Sequence, residues 1–187
     1  MPLNLPNLLT WLRILMIPAI IAAGIYPSAV WLTREEGNLV ATALFIAAAL
    51  TDWLDGYLAR RLNQTSAFGA FLDPVADKLM VAASLIVLVE LRRTDTIVAF
   101  IIIGREIAVS ALREWMARLG ESRSVAVNFL GKVKTFSQMF AIPMLLYHEA
   151  IGAFDPQRWG TWLIWIAVAL TLISMIYYLK LASLPKE

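Results

Sequence analysis

A chain of 187 residues with no cysteine and a formal charge of only +2 carries neither a disulfide framework nor the basic surplus of a nucleic-acid binder. Its hydrophobic share is 60% and its mean hydropathy +0.70, with apolar runs that recur at about 20 residues, the length of a bilayer-spanning helix. These values exclude an ordinary soluble domain and predict an all-α, polytopic membrane protein, one domain over residues 1–187.

The N-terminus has no positive n-region and no small-residue cleavage site, so the first apolar run, about Leu8 to Ala23, is expected to stay in the mature protein. Asn7 or Thr10 can cap it, Pro18 lies inside it, and Arg13 is its one charge, either snorkelling to the interface or standing beside a site. Tyr26 to Asn38 reads as a loop. A second helix is predicted from about Leu39 to Arg61 and a third from Ser66 or Gly69 to Leu91, where Pro74 must fall near the first turn or kink the helix. The fourth, Thr96 to about Leu119, holds Arg105 and Glu106, which pair within the membrane or touch a substrate. Gly120 to Asn128 is a polar connection, Phe129 to Tyr147 the fifth helix and Trp159 to Leu181 the sixth. His148 is read as interfacial, and the Trp and Tyr residues, with Trp31, Trp159 and Trp162 near helix ends, as an aromatic belt.

Six transmembrane helices put both termini on one side. Eleven of the 16 Lys and Arg residues fall on the side of the turn near Gln64 and four on the other, with Arg105 in mid-helix; by the positive-inside rule that side and both termini are cytoplasmic.

The chemistry concentrates between Asp52 and Asp77. At about 100° per residue, Asp52, Asp55, Gly56, Ala59 and Arg60 share one helical face, and Gly69, Asp73 and Asp77 share another at i, i+4, i+8. The break Leu62 to Ala67 can join only antiparallel neighbours, so the carboxylates are expected to meet at matched depth, roughly 13 to 19 Å from the turn at 1.5 Å per residue. Four acids at such depth cannot all ionise without counter-charge; the alternatives, a solvated acidic face or core pairing with Lys and Arg, are disfavoured by the lack of water there and the few basic partners. Oxygen-only ligands, with no cysteine and one distant histidine, favour Mg²⁺ or Mn²⁺, and two ions sharing carboxylates would balance the charge and suit phosphoryl chemistry. Gly56 and Gly69 leave room for a ligand or a neighbouring helix.

The string Asp52-x-x-Asp55-Gly56-x-x-Ala59-Arg60, eight residues, then Gly69-x-x-x-Asp73-x-x-x-Asp77 resembles the complete signature of the CDP-alcohol phosphotransferase family. The local strings Pro6 to Arg13, Phe68 to Lys78, Gly104-Arg105-Glu106, Ala111 to Trp115 and Gly131 to Thr135 extend the likeness nearly end to end. The resemblance implies transfer of the phosphatidyl group of CDP-diacylglycerol to glycerol 3-phosphate, with CMP leaving, at the bacterial inner membrane and in a homodimer. It assigns Asp52, Asp55, Asp73 and Asp77 to the metal ions, places Asp52, Gly56, Ala59, Arg60, Gly69 and Asp73 against the CDP group, and makes Asp77 the general base. An acceptor phosphate calls for cations, for which Arg113, Lys132, Lys134 and Arg105 are candidates; Lys132 and Lys134 cannot share a helical face, so one of the two is expected to bind. The alternatives are another acceptor for the same chemistry (a phosphatidylglycerol, an inositol phosphate or serine) and a divalent-cation path through the aspartates. No P-loop, dinucleotide fingerprint, nucleophile elbow or Cys/His metal spacing competes with these readings.

Overall fold

The computed structural model describes residues 5–61, 67–118 and 129–183, and these fold into six long helices. They are α1 (Leu5–Ile25), α2 (Arg34–Arg61), α3 (Ala67–Glu90), α4 (Thr96–Arg118), α5 (Phe129–Tyr147) and α6 (Pro156–Ser183), with a single 3-10 turn at Pro27–Val30. The turn expected around Gln64 and the whole connection Gly120 to Asn128 lie outside the described residues. Among the described residues three helices are long and apolar enough to cross a membrane, over Asn7–Ile25, Arg34–Asp55 and Pro156–Ile176. Helix α3 is apolar but carries Asp73, Asp77 and Lys78, and α5 carries Lys132 and Lys134.

Two boundaries differ from the sequence expectation. The polar segment read as a loop to Asn38 is helical from Arg34, because Thr33 and Glu36 close a capping box. The Thr33 backbone N–H and Oγ1 donate to Glu36 Oε2 at 2.8 and 2.9 Å, and the Glu36 N–H returns a bond to Thr33 Oγ1 at 3.3 Å. Helix α3 begins at Ala67 and passes through Pro74 two turns in, so the proline lies beyond the first turn, where it cannot donate to the carbonyl four residues earlier.

The packed core occupies one end of the bundle. Its residues come from the C-terminal halves of α1, α3 and α5 (Ile20, Met80, Leu85, Leu88, Ile142, Leu145) and the N-terminal halves of α2, α4 and α6 (Phe45, Ile102, Ile164). Arginines seal the helix ends there. Arg34 donates to the Gly24 carbonyl at 2.8 Å, while Arg93 donates to the carbonyls of Leu145 and Leu146 at 3.2 and 2.6 Å and to Asn38 Oδ1 at 2.8 Å. These carbonyls are the ones a helix C-terminus leaves unpaired. Pinning α1, α2, α3 and α5 at one end leaves the other end to polar side chains.

The surface is the reverse of a soluble protein's. All seven tryptophans are exposed, Trp31, Trp159, Trp162 and Trp165 toward the core end and Trp11, Trp53 and Trp115 toward the other, among exposed Leu, Ile and Phe such as Leu15, Leu50, Phe100 and Ile173. Tryptophans ringing both ends of an apolar bundle suit the two interfaces of a bilayer, and the chain is a membrane protein. His148 ends α5 with φ at +66° and its Nδ1 lies 2.7 Å from Gln157 Oε1, in keeping with its interfacial reading.

Where α1 meets α2, a Cβ at Gly37 would lie 2.5 Å from the Ala23 carbonyl oxygen and 2.8 Å from Pro27 Cβ. A backbone oxygen cannot swing aside, so Gly37→Ala is expected to cost about 1 to 3 kcal/mol despite the better helix propensity of alanine. A lowered thermal midpoint in detergent, measured against wild type, checks this.

Candidate active site

The end of the bundle away from the core holds the aspartates. Helix α2 carries Asp52 and Asp55 one turn apart, and α3 carries Asp73 and Asp77 one turn apart. The two arms were expected to be direct antiparallel neighbours; instead they touch at few points, and α1 packs along both of them. From α1, Arg13 reaches the first arm with Nη1 on Asp52 Oδ1 at 2.6 Å and Nη2 on Asp55 Oδ2. One turn earlier, Thr10 Oγ1 donates to Asp73 Oδ1 at 2.6 Å. Arg13 is 0% exposed, which removes the snorkelling alternative: the guanidinium is a neighbour of the site. Asp55 is buried with it, while Asp52 keeps its side chain half exposed toward the outside.

A second polar cluster lies on α4, α5 and α6. Glu106 accepts from both Arg105, Nη1 to Oε1 at 3.2 Å, and Lys134, Nζ to the same oxygen. Arg105 Nη2 also donates to Ser174 Oγ at 3.1 Å, and Ser174 in turn donates to the Thr171 carbonyl at 2.9 Å. Two cations on one carboxylate leave the cluster with a charge surplus of one. Asp77 stands in electrostatic reach of both groups: Asp52, Arg13, Glu106 and Lys78 all act on it.

The structure ties Asp52 and Asp55 to α1 through Arg13 and Asp73 to α1 through Thr10, and it pairs Glu106 with both Arg105 and Lys134. Lys134 on α5 is buried. Gly69 is buried on α3, and Gly56, Ala59 and Arg60 lie on α2, Arg113 on α4 and Lys132 on α5; the side chains of these last five are outside the described residues. Sequence reasoning missed Thr10, which it treated as a helix cap, and left Glu106 between an intramembrane pair and a substrate contact. The signal for Thr10 was its i, i+3 spacing to Arg13, which puts both on one face of α1.

An all-carboxylate oxygen donor set fits a hard divalent cation. Among the described residues no three acidic or histidine side chains gather around one point; Arg13 stands as the counter-charge of Asp52 and Asp55. An acidic group on α2 and α3, held by Arg13 and Thr10, and a basic group on α4 and α5, built around Glu106, are thus both present.

A family model described as CDP-alcohol phosphatidyltransferase matches residues 3–173. Among curated relatives, the CDP-diacylglycerol–glycerol-3-phosphate 3-phosphatidyltransferase of Haemophilus influenzae is 46% identical over 189 residues, covering 98% of this chain and 95% of the relative. The enzymes of the same name from Salmonella typhimurium and Escherichia coli are each 45% identical over 184 residues, covering 97% of this chain and 96% of theirs.

Breaking a buried pair from one side strands the remaining charge. Glu106→Gln, which leaves Arg105 and Lys134 without their anion, is expected to lower stability by about 3 kcal/mol. Adding Lys134→Met should restore part of the loss. Thermal unfolding of the two single variants and the double variant measures the coupling, and strictly additive effects would contradict the pair.

Proposed function

Since the chain belongs to the CDP-alcohol phosphatidyltransferase family, we propose that it transfers the phosphatidyl group of CDP-diacylglycerol to glycerol 3-phosphate, giving phosphatidylglycerophosphate and CMP. The observation that carries this reading is near-complete coverage, at 45–46% identity, of relatives that bear that activity in their names, together with an intact aspartate signature. We further infer six spans with both termini and the active site on the cytoplasmic side of a bacterial inner membrane, and a homodimer by family resemblance.

Asp52, Asp55, Asp73 and Asp77 would hold the divalent ions, Mg²⁺ or Mn²⁺ and two by charge balance. Such ions, when bound, neutralise pyrophosphate charge and stabilise departing CMP. Gly56, Ala59, Arg60 and Gly69, with Asp52 and Asp73, are assigned to the CDP group. Asp77 takes the proton from the acceptor hydroxyl, whose oxygen attacks the phosphatidyl phosphorus as the bond to the CMP oxygen breaks. No covalent enzyme intermediate is required.

Across Asp77, the surplus charge of Arg105 and Lys134 over Glu106 would be completed by the acceptor phosphate. Arginine offers a fork to phosphate oxygens and lysine a point charge. Lys134 meets the acceptor while still paired with Glu106, and Arg113 and Lys132 are the remaining candidates for this contact.

The test is CMP release by the purified protein in detergent with CDP-diacylglycerol, glycerol 3-phosphate and Mg²⁺ or Mn²⁺. Release should require the acceptor and vanish on chelation of the metal, and Asp77→Asn should lower the rate at least roughly 100-fold, the usual contribution of a general base. Release with inositol phosphate, serine or phosphatidylglycerol in place of glycerol 3-phosphate would move the acceptor; no release with any of them would refute the reading.

A further inference from the structure

The end of the bundle opposite the aspartates carries a cleft of about 580 Å³ between the C-terminus of α3, its connection to α4 and the first turns of α6. The lining changes character along the cleft. Arg92 and Thr94 line it at the connection, while Val89, Ile164 and Trp165 line it along the helices. From Gln157 to Trp165 it follows α6 for about 12 Å at 1.5 Å per residue, and Trp165 is one of the tryptophans exposed at this end. The left-handed turn at Arg92, with φ at +55°, closes α3 as the N–H groups of Arg92 and Arg93 donate to the Val89 and Leu88 carbonyls at 2.9 and 2.8 Å. That turn separates two adjacent arginines. Arg93 is buried and gives its guanidinium to the Leu145 and Leu146 carbonyls and to Asn38 Oδ1, with no carboxylate among them. Arg92 is exposed, and among the described residues its side chain makes no hydrogen bond or ion pair. Against these two cations the lining sets one carboxylate, Asp95, which leaves it positive.

We propose that this cleft holds one anionic phospholipid of the leaflet opposite the aspartates, with its phosphate at Arg92 and Thr94 and the start of an acyl chain along Val89, Ile164 and Trp165. Length and polarity both argue for a lipid. A headgroup region is only roughly 5 to 8 Å deep on each side of a bilayer, so a cleft of about 12 Å along α6 that begins at the polar connection runs on into the hydrocarbon. Its occupant therefore needs a polar end and an apolar one. An inorganic phosphate would engage the arginine and leave the apolar wall bare. The guanidinium of Arg92 can fork onto phosphate oxygens, and the positive lining selects against a zwitterionic lipid, whose headgroup brings a cation of its own. The site is independent of the proposed transfer reaction, since none of its residues belongs to the aspartate end.

Native mass spectrometry of the full chain in detergent, titrated with dioleoylphosphatidylglycerol or dioleoylphosphatidylcholine, measures the number and affinity of bound lipids. Arg92→Gln removes the charge and keeps a polar side chain, whereas Arg92→Lys keeps the charge and loses the fork. Loss of one charged donor to a phosphate corresponds to about 10-fold in affinity. Arg92→Gln is thus expected to bind one phosphatidylglycerol about 10-fold more weakly than wild type, with Arg92→Lys between the two and the thermal midpoint in lipid-free detergent unchanged in both. Phosphatidylcholine should bind more weakly than phosphatidylglycerol and be indifferent to Arg92. The same phosphatidylglycerol isotherm in wild type and Arg92→Gln, or equal affinity of the wild type for the two lipids, would overturn the site. Displacement of phosphatidylglycerol by inorganic phosphate would overturn the lipid as its occupant.

Discussion

A guanidinium with no exposed surface, bonded to two carboxylates, is the constraint on which this architecture turns. A charge buried in so apolar a chain is costly unless paired and hydrogen-bonded, and Arg13 meets both conditions through Asp52 and Asp55. The same bonds dictate that α1 lies against the first arm of the aspartate motif. Thr10, one turn away, ties α1 to the second arm through Asp73. The N-terminal helix is thereby the central strut of the site, although it contributes none of the signature residues.

The division of the bundle into an apolar end and a polar end explains how such a site persists in one fold. Close-packed side chains of Phe45, Met80, Leu85, Leu88, Ile142 and Leu145 hold the six helices at one end, where an interior of native density resists rearrangement. Arg34 and Arg93 lock the helix ends there by filling carbonyls that have no intrahelical partner. The opposite end is released from the task of packing and can carry charge. In water the same charged residues would sit on the surface; here the exposed surface belongs to Trp, Leu, Ile and Phe, and polar groups turn inward because no water competes for them.

The helices and the motif were legible in the sequence because both depend on local spacing. Alternating apolar runs and polar breaks located all six helices, and α5 coincides with its expectation from Phe129 to Tyr147. The face shared by Asp52 and Asp55 followed from the helical period. What spacing could not supply was the neighbour of each face. Arms joined by a short turn invite direct contact, and only the tertiary arrangement shows α1 packed along both. Thr10 illustrates the limit: a threonine near the start of an apolar run is chemically a good cap, and its use as a donor to Asp73, 63 positions on, leaves no local trace. The early start of α2 was missed for the opposite reason, since Thr33 and Glu36 carry a capping-box signal that the surrounding charge disguised as a loop.

The two polar clusters make sense together as the answer to a problem of like charge. Both proposed substrates are anions, one bearing a pyrophosphate and the other a phosphate, and each must be neutralised without drawing the other into its place. Carboxylates attract a pyrophosphate only when divalent ions are bound, so on the proposed reading the Asp52, Asp55 and Asp73 side would recognise a chelating ligand rather than a simple anion. Arg105 and Lys134 share one carboxylate, that of Glu106, and on the proposed reading that side would accept a simple phosphate, with Glu106 lowering the charge of the basic cluster. Under the proposed reading Asp77, which carries charge interactions with members of both groups, would stand where a hydroxyl carried in by one anion meets the phosphorus carried in by the other.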